Sequence, residues 1–331
     1  MRLLTVTLLF LFCTSLHADE PPTLTVYTYS SFIADWGPGP AIKQGFEAEC
    51  GCNLVFVATD DGVALLSRVR LEGQRAKADV VLGLDTNLIA EARDSGLFAP
   101  HGAMADSLRL PGGWSDPVFL PYDYGYFAFV YDTTALALPP SSLRALVDGP
   151  AEQKILIQDP RTSTPGLGLL LWIRKVYGDA AGAAWEKLAP RILTVSKGWS
   201  EAYGLFLEGE APLVLSYTTS PAYHLIAEGE GKYAAAAFDE GHYLQVEVAA
   251  KLASSPNPEL ADRFLAFMLS QGFQKHIPTG NWMYPVVELE TGLPEGFETL
   301  VSPAAALSFS PEDVARNRKA WVQEWLTALS R

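Results

Sequence analysis

The chain has 331 residues, 49% of them hydrophobic and 19% charged, with a formal net charge of −14. That length leaves room for two cores of ordinary domain size, and the acidic balance argues against nucleic acid as a partner.

Residues 1–18 read as a secretory leader: Arg2 supplies the positive start, 3–12 the apolar stretch, and Ala18 a small residue at the expected cleavage point. The mature chain is therefore expected outside the cytoplasm. No later apolar run reaches the length that spans a bilayer, so no stable membrane insertion is expected. Of three cysteines, Cys50 and Cys52 survive processing, either as a tight bridge across Gly51 or as two free thiols.

Residues 23–29 alternate and end on Tyr29, the first candidate ligand residue. A loop at 33–40, a helix at 41–50 and a strand at 53–59 follow. Asp60-Asp61-Gly62 opens a helix whose apolar positions are Val63, Leu65, Leu66, Val69 and Leu71. Residues 78–82 form a third buried strand, and Gly83-Leu84-Asp85 leads into another helix through Glu91. This β-α-β-α-β-α order predicts a parallel, helix-covered sheet, with ligands outside the carboxyl ends of its strands. Tyr29, Asp61 and Asp85 all fall at such ends, although Asp61 serves equally as the N-cap of its own helix.

The stretch 108–121 is irregular, and 122–131 is an aromatic strand that suits a first crossing between lobes. After a strand at 154–158, Asp159-Pro160-Arg161-Thr162-Ser163-Thr164-Pro165-Gly166 turns into a helix through Val176. Its hydroxyls precede a proline, and Arg161 reads as a phosphate clamp or a surface ion pair. Residues 193–196 form a short strand, and Trp199 begins the next helix. Then 213–215 leads to Ser216-Tyr217-Thr218-Thr219-Ser220-Pro221-Ala222-Tyr223, a second junction of the same kind, with Ser220 as N-cap and Pro221 in the first helical position. Residues 233–238 continue the chain, and 242–252 suits a second crossing. A helix at 258–271, an aromatic loop at 278–285 containing Trp282, and a last helix capped by Ser310 complete it. His101, His224, His242 and His276 are scattered without metal-ligand spacing, so neither metal nor cofactor is expected.

Tyr29, Trp199, Tyr217, Tyr223 and Trp282 thus offer flat faces, with Asp61 as a charge, and this set suits a flat cation. The two helix starts, carrying Ser163, Thr164, Thr218, Thr219 and Ser220, suit a phosphate.

The runs Ala34-Asp35-Trp36-Gly37-Pro38-Gly39-Pro40, Gln158 to Gly168 and Ser216 to His224 closely resemble the periplasmic thiamine-binding proteins of bacterial ABC thiamine importers, over nearly the whole chain. The resemblance implies a two-lobed α/β fold of the type II periplasmic binding proteins, with lobe one at 19–120 plus 242–290, lobe two at 121–241, and a C-terminal helical segment at 291–331. It implies thiamine, or its mono- or diphosphate, in the interlobe cleft, contacted at Asp61, Gly62, Ser163, Thr164, Trp199 and Tyr217 through Ser220, with Tyr29, Tyr223 and Trp282 lining the same cleft. It further implies a periplasmic location, delivery to membrane permease and ATPase subunits, and no catalysis. The Cys-x-Cys of that family recurs at Cys50 and Cys52. Two other readings share the architecture: a thiaminase-like enzyme, which needs a cysteine nucleophile, and a ferric-ion carrier, which uses tyrosinate ligands.

Overall fold

The computed structural model describes residues 20–103 and 108–330. The expected leader at 1–18 lies outside the described residues. The first part of the chain alternates as anticipated: β1 (Thr23–Tyr29), α1 (Gly39–Cys50), β2 (Asn53–Thr59), α2 (Gly62–Glu72), β3 (Val80–Asp85) and α3 (Ile89–Asp94). β1 pairs in parallel with both β2 and β3. Every residue of β3 is buried, as befits a parallel strand covered on both faces. The inward stripe of α2 is Val63, Leu65, Leu66 and Val69, whereas Leu71 is exposed. Asp85 closes its strand, and the helix after it begins four residues later than its position suggested. At the end of α1 the sulfurs of Cys50 and Cys52 are bonded to each other.

A two-residue strand β4 (Phe98–Ala99) precedes β5 (Leu120–Asp132), and then come α4 (Leu143–Val147), β6 (Ile155–Gln158), α5 (Thr164–Tyr177), α6 (Ala181–Leu188), β7 (Ile192–Ser196), α7 (Trp199–Leu207) and β8 (Leu213–Tyr217). Here β6 pairs in parallel with β7 and β8. The remainder is α8 (Pro221–Tyr223), β9 (Tyr233–Ala235), β10 (His242–Leu252), α9 (Pro258–Phe267), α10 (Gln271–Gln274), β11 (Tyr284–Pro285), β12 (Ala306–Leu307) and α11 (Pro311–Leu329). The helix expected over 258–271 is thus two helices, because Ser270 adopts an extended backbone between them.

Among the described residues the sheet order is β2-β1-β3-β10-β5-β8-β6-β7. Two parallel ends are therefore joined through β10 and β5, the two strands whose length and patterning suited crossings. β5 divides its ladder: Leu120 to Tyr126 pair antiparallel with β10, and Phe127 to Tyr131 with β8. One hydrophobic core packs Leu24, Val26, Phe46, Leu54, Phe264 and Phe273 under the β1–β3 end. A larger one runs from Leu65 and Leu66 through Phe127 and the fully buried Trp172 to Trp325.

The last helix starts as its sequence dictates, with Ser310 Oγ accepting from Asp313 N at 3.1 Å and Pro311 in the first turn. It reaches both ends of the sheet. Arg318 donates to Glu91 on α3 at 2.7 Å, while Glu324 accepts from Arg174 on α5 at 2.9 Å and Trp325 packs edge-on against Trp185 on α6.

Candidate functional site

The carboxyl ends of the strands converge on a cavity of about 300 Å3. Tyr29 closes β1, Tyr217 closes β8, and Asp61 and Trp199 stand at the helix starts after β2 and β7. Of the residues singled out from sequence, Tyr29, Asp61, Trp199, Tyr217, Ser220, Tyr223 and Trp282 line this cavity. The rings are braced from behind: Trp199 stacks on Tyr203 at 4.8 Å, and Trp282 meets Tyr223 edge-on at 5.3 Å. Trp282 is the non-glycine residue with positive φ (56°) among the described residues, a conformation that costs about 1–3 kcal/mol and recurs at ligand sites. Its indole Nε1 is buried without a hydrogen-bond partner.

Asp61 is held by three helix starts at once. It is the N-cap of α2, and its Oδ1 accepts from Gly62 N at 2.7 Å. Its Oδ2 accepts from Ser163 Oγ, the N-cap residue of α5, at 2.7 Å and from Trp199 N, the first residue of α7, at 3.3 Å. Burial pushes its pKa up, and the hydrogen bonds from Ser163, Gly62, Thr164 and Trp199 oppose that shift. The carboxylate therefore occupies the anion position that the α5 helix start was expected to offer a phosphate. Ser163 and Thr164 are buried behind it and do not reach the cavity wall. Gly62 is also set back: a side chain there would strike Gly83 O and Thr164 Oγ1, both 2.4 Å from its Cβ. Gly83, at φ 111°, lies against the Tyr29 ring, where any Cβ would come within 2.3 Å of it.

The second junction departs further from expectation. Ser220 has a helical backbone (φ −57°, ψ −34°) and caps nothing. Its Oγ lies 2.6 Å from Ser216 Oγ and accepts from Tyr217 N at 3.2 Å, while Ser216 Oγ accepts from Trp199 Nε1 at 2.7 Å. The hydroxyls here orient the indole. α8 lasts three residues and passes into a π-helical turn over His224–Glu228. Thr218 and Thr219 are fully buried: Thr218 N donates to Tyr126 O at 2.9 Å, and Thr219 Oγ1 approaches Met283 Sδ at 3.9 Å. Arg161 is paired with Asp159 at the surface. Asp85 stays off the wall, bonded to Asn87, with its pKa raised by burial to about 7.

Sequence reasoning missed Trp36, Tyr203, Asn281 and Glu247, all on the wall. Glu247 had a readable signal, a glutamate in the middle of the otherwise apolar run Val246 to Ala250. Its Oε2 accepts from Tyr122 OH at 2.6 Å and Tyr29 OH at 2.7 Å. Directly across the ladder lies buried Asp123. Among the described residues no lysine, arginine or histidine lines the cavity, and no group of His, Cys, Asp and Glu is placed to hold a metal ion. His224 instead bridges Tyr203 OH and Glu228, at 2.9 and 2.7 Å.

The profile of the bacterial extracellular solute-binding protein family matches residues 33–275. The chain is 60% identical over 323 residues to the thiamine-binding periplasmic protein of Escherichia coli, covering 98% of each. A solved structure described as a periplasmic thiamin binding protein superposes with a TM-score of 0.92 at 61% identity, over 94% of this chain and 97% of the other. Iron-bound HitA from Pseudomonas aeruginosa shares the fold alone, with a TM-score of 0.74 at 21% identity over 92% and 99%.

Proposed function

The chain belongs to the bacterial extracellular solute-binding proteins, among the thiamine-binding periplasmic proteins, and from that premise we propose that it captures thiamine in the aromatic cavity and delivers it to an ABC importer. The observation that carries this reading is a wall of Trp36, Trp199, Trp282 and tyrosine rings with two carboxylates, Asp61 and Glu247, and no basic side chain. Each ring over a desolvated cation contributes about 0.5–2 kcal/mol, so a planar thiazolium matches the wall in shape and charge. The mono- and diphosphate belong to the same reading as further ligands.

Capture works by closure. The β1–β3 end, with 19–120 and 242–290, brings Tyr29, Asp61 and Trp282; the β6–β8 end, within 121–241, brings Trp199 and Tyr217. These ends already touch through Asp61 and Ser163 at 2.7 Å, Ala64 N and Thr162 O at 2.9 Å, and Lys197 and Asp60 at 3.1 Å. A ligand bound better by this closed arrangement shifts the hinge equilibrium toward it, and the closed form is the one that docks on the permease. Energy for transport comes from the ATPase subunit, since no Gly-x-x-x-x-Gly-Lys-Ser/Thr run occurs in this sequence. The leader expected at 1–18 and the periplasmic location carried in the names of the relatives support a periplasmic location.

The site favours a carrier over a thiaminase. Cys50 and Cys52 are joined at the end of α1, and among the described residues no cysteine lines the cavity to serve as the nucleophile that a thiaminase needs. Iron transport is disfavoured as well, because the sequence has no adjacent tyrosine pair and iron-bound HitA shares the fold alone at 21% identity. The test is calorimetric titration of refolded, ligand-free protein with thiamine and its two phosphates, read alongside tryptophan emission. Heat of binding with quenching of the wall indoles is expected. Silence in both at micromolar thiamine, or a cleaved pyrimidine product on adding aniline, overturns the reading.

A further inference from the structure

One charged feature of the cavity is not absorbed by ring stacking or by Asp61. Asp123 on β5 and Glu247 on β10 face each other across the antiparallel ladder, both buried. A single amide nitrogen bridges them: Asn281 Nδ2 lies 2.6 Å from Asp123 Oδ2 and 3.2 Å from Glu247 Oε2. Glu247 Oε2 is saturated by the Tyr29 and Tyr122 hydroxyls, and Gln245 Nε2 donates to its Oε1 at 3.0 Å. Asp123 Oδ1, in contrast, is buried with no donor at all.

Two carboxylates this close, out of water and with no cation on the cavity wall, cannot both be ionised at low cost. We propose that Asp123 and Glu247 share one proton while the cavity is empty and release it to solvent when a cationic ligand enters. The titratable groups facing the pair are Tyr29, Tyr122 and Tyr217 with Asp61 and Asp85, and each of these is neutral or negative, so none can serve as the missing counter-ion. Burial raises the pKa of both members of the pair, and the neighbouring Glu247 raises Asp123 further. A ligand with a permanent positive charge supplies the counter-ion that the empty site lacks and lowers both values, so binding and deprotonation are linked. The pair thereby makes the site selective for a cation over a neutral ring of equal shape, and makes its affinity fall in acid.

This inference rests on the thiamine reading, and the experiment separates the two. Thiamine is titrated into the full mature protein in buffers of different ionisation enthalpy, and the dependence of the observed heat on the buffer counts the protons released. A release of up to one proton per thiamine is expected, with affinity falling by at most about tenfold per pH unit as the pH drops through the titration of the pair. The release should vanish in Asp123→Asn once the proton exchange of the ligand's own aminopyrimidine, which is common to parent and variant, has been subtracted. It should also vanish in Glu247→Gln, which keeps an acceptor for Tyr29 and Tyr122 and serves if the first variant does not fold. Binding that is independent of buffer at every pH overturns the inference and leaves the thiamine reading standing. Release that persists undiminished in both variants assigns the proton to another group, such as Asp61, Asp85 or the ligand's aminopyrimidine, and overturns it too. Absence of any binding removes the functional reading and this inference with it.

Discussion

The junctions at Ser163-Thr164-Pro165 and Thr219-Ser220-Pro221 carry the same chemistry, yet they fold into different devices. At the first, Ser163 holds an extended backbone (φ −111°, ψ 138°), accepts from Gly166 N at a long 3.5 Å, and opens a helix of 14 residues. At the second, Ser220 is already helical, caps nothing, and leads to a helix of three. The difference lies in what each hydroxyl finds across from it. Ser163 meets the buried carboxylate of Asp61, and Ser220 meets Ser216, which holds the Trp199 indole. A Ser-Pro helix start is therefore an anion site only while no internal acceptor reaches it first.

The largest effect that sharpens this contrast is expected from Asp61→Asn. Removing the charge that three helix starts share should weaken thiamine by about 100-fold, the scale of one or two charge-assisted hydrogen bonds. Calorimetry with thiamine and its diphosphate measures it, and an unchanged affinity would mean that the first junction does not organise the site. Next in size is the pair of serine variants. Ser163→Ala loses both the cap and the bond to a buried carboxylate and should cost about 1–2 kcal/mol in urea unfolding, whereas Ser220→Ala, which removes no cap, should cost less than about 1 kcal/mol. Because Ser163 acts through Asp61, its variant should weaken thiamine and thiamine diphosphate alike; a loss confined to the diphosphate would instead put the phosphate at that hydroxyl. Equal unfolding costs would erase the distinction between the junctions.

The smallest effect is on pH. Burial raises the folded pKa of Asp61 above that of the unfolded chain, so between the two values the folded protein binds more protons. Stability from this group is therefore present at low pH and declines as pH rises through that window. Urea midpoints of the parent should decline more steeply through that window than those of Asp61→Asn, which keeps the raised carboxyls of Asp85, Asp123 and Glu247, and parallel curves would contradict the shift.

Much of this was legible in the residues. Alternation and run length located β1, β2, β6 and β8, the aromatic strand β5 and the apolar strand β10 announced the middle of the sheet, and Ser310-Pro311 marked the last helix. Tyr29, Asp61, Trp199 and Tyr217 could be placed because they end or follow strands. Direction was not legible. Whether Ser220 caps depends on its backbone angle and on Ser216, which takes its hydroxyl, and the Asp123–Glu247 pairing exists only once β5 and β10 are in register. Trp282 needed its left-handed backbone, which no propensity favours for an indole.

The C-terminal helix has a consequence for how the molecule can be handled. Since α11 is pinned to α3 through Arg318 and Glu91 and to α5 through Arg174 and Glu324, any parting of the two sheet ends must shear one of those grips. It works as a spring clip on the outer side of the jaw, held to α3 by an ion pair and to the α5–α6 end by an ion pair together with the buried Trp325. Added salt or a few residues trimmed from the tail is thus expected to change how readily the empty jaw gapes while leaving every ligand contact untouched.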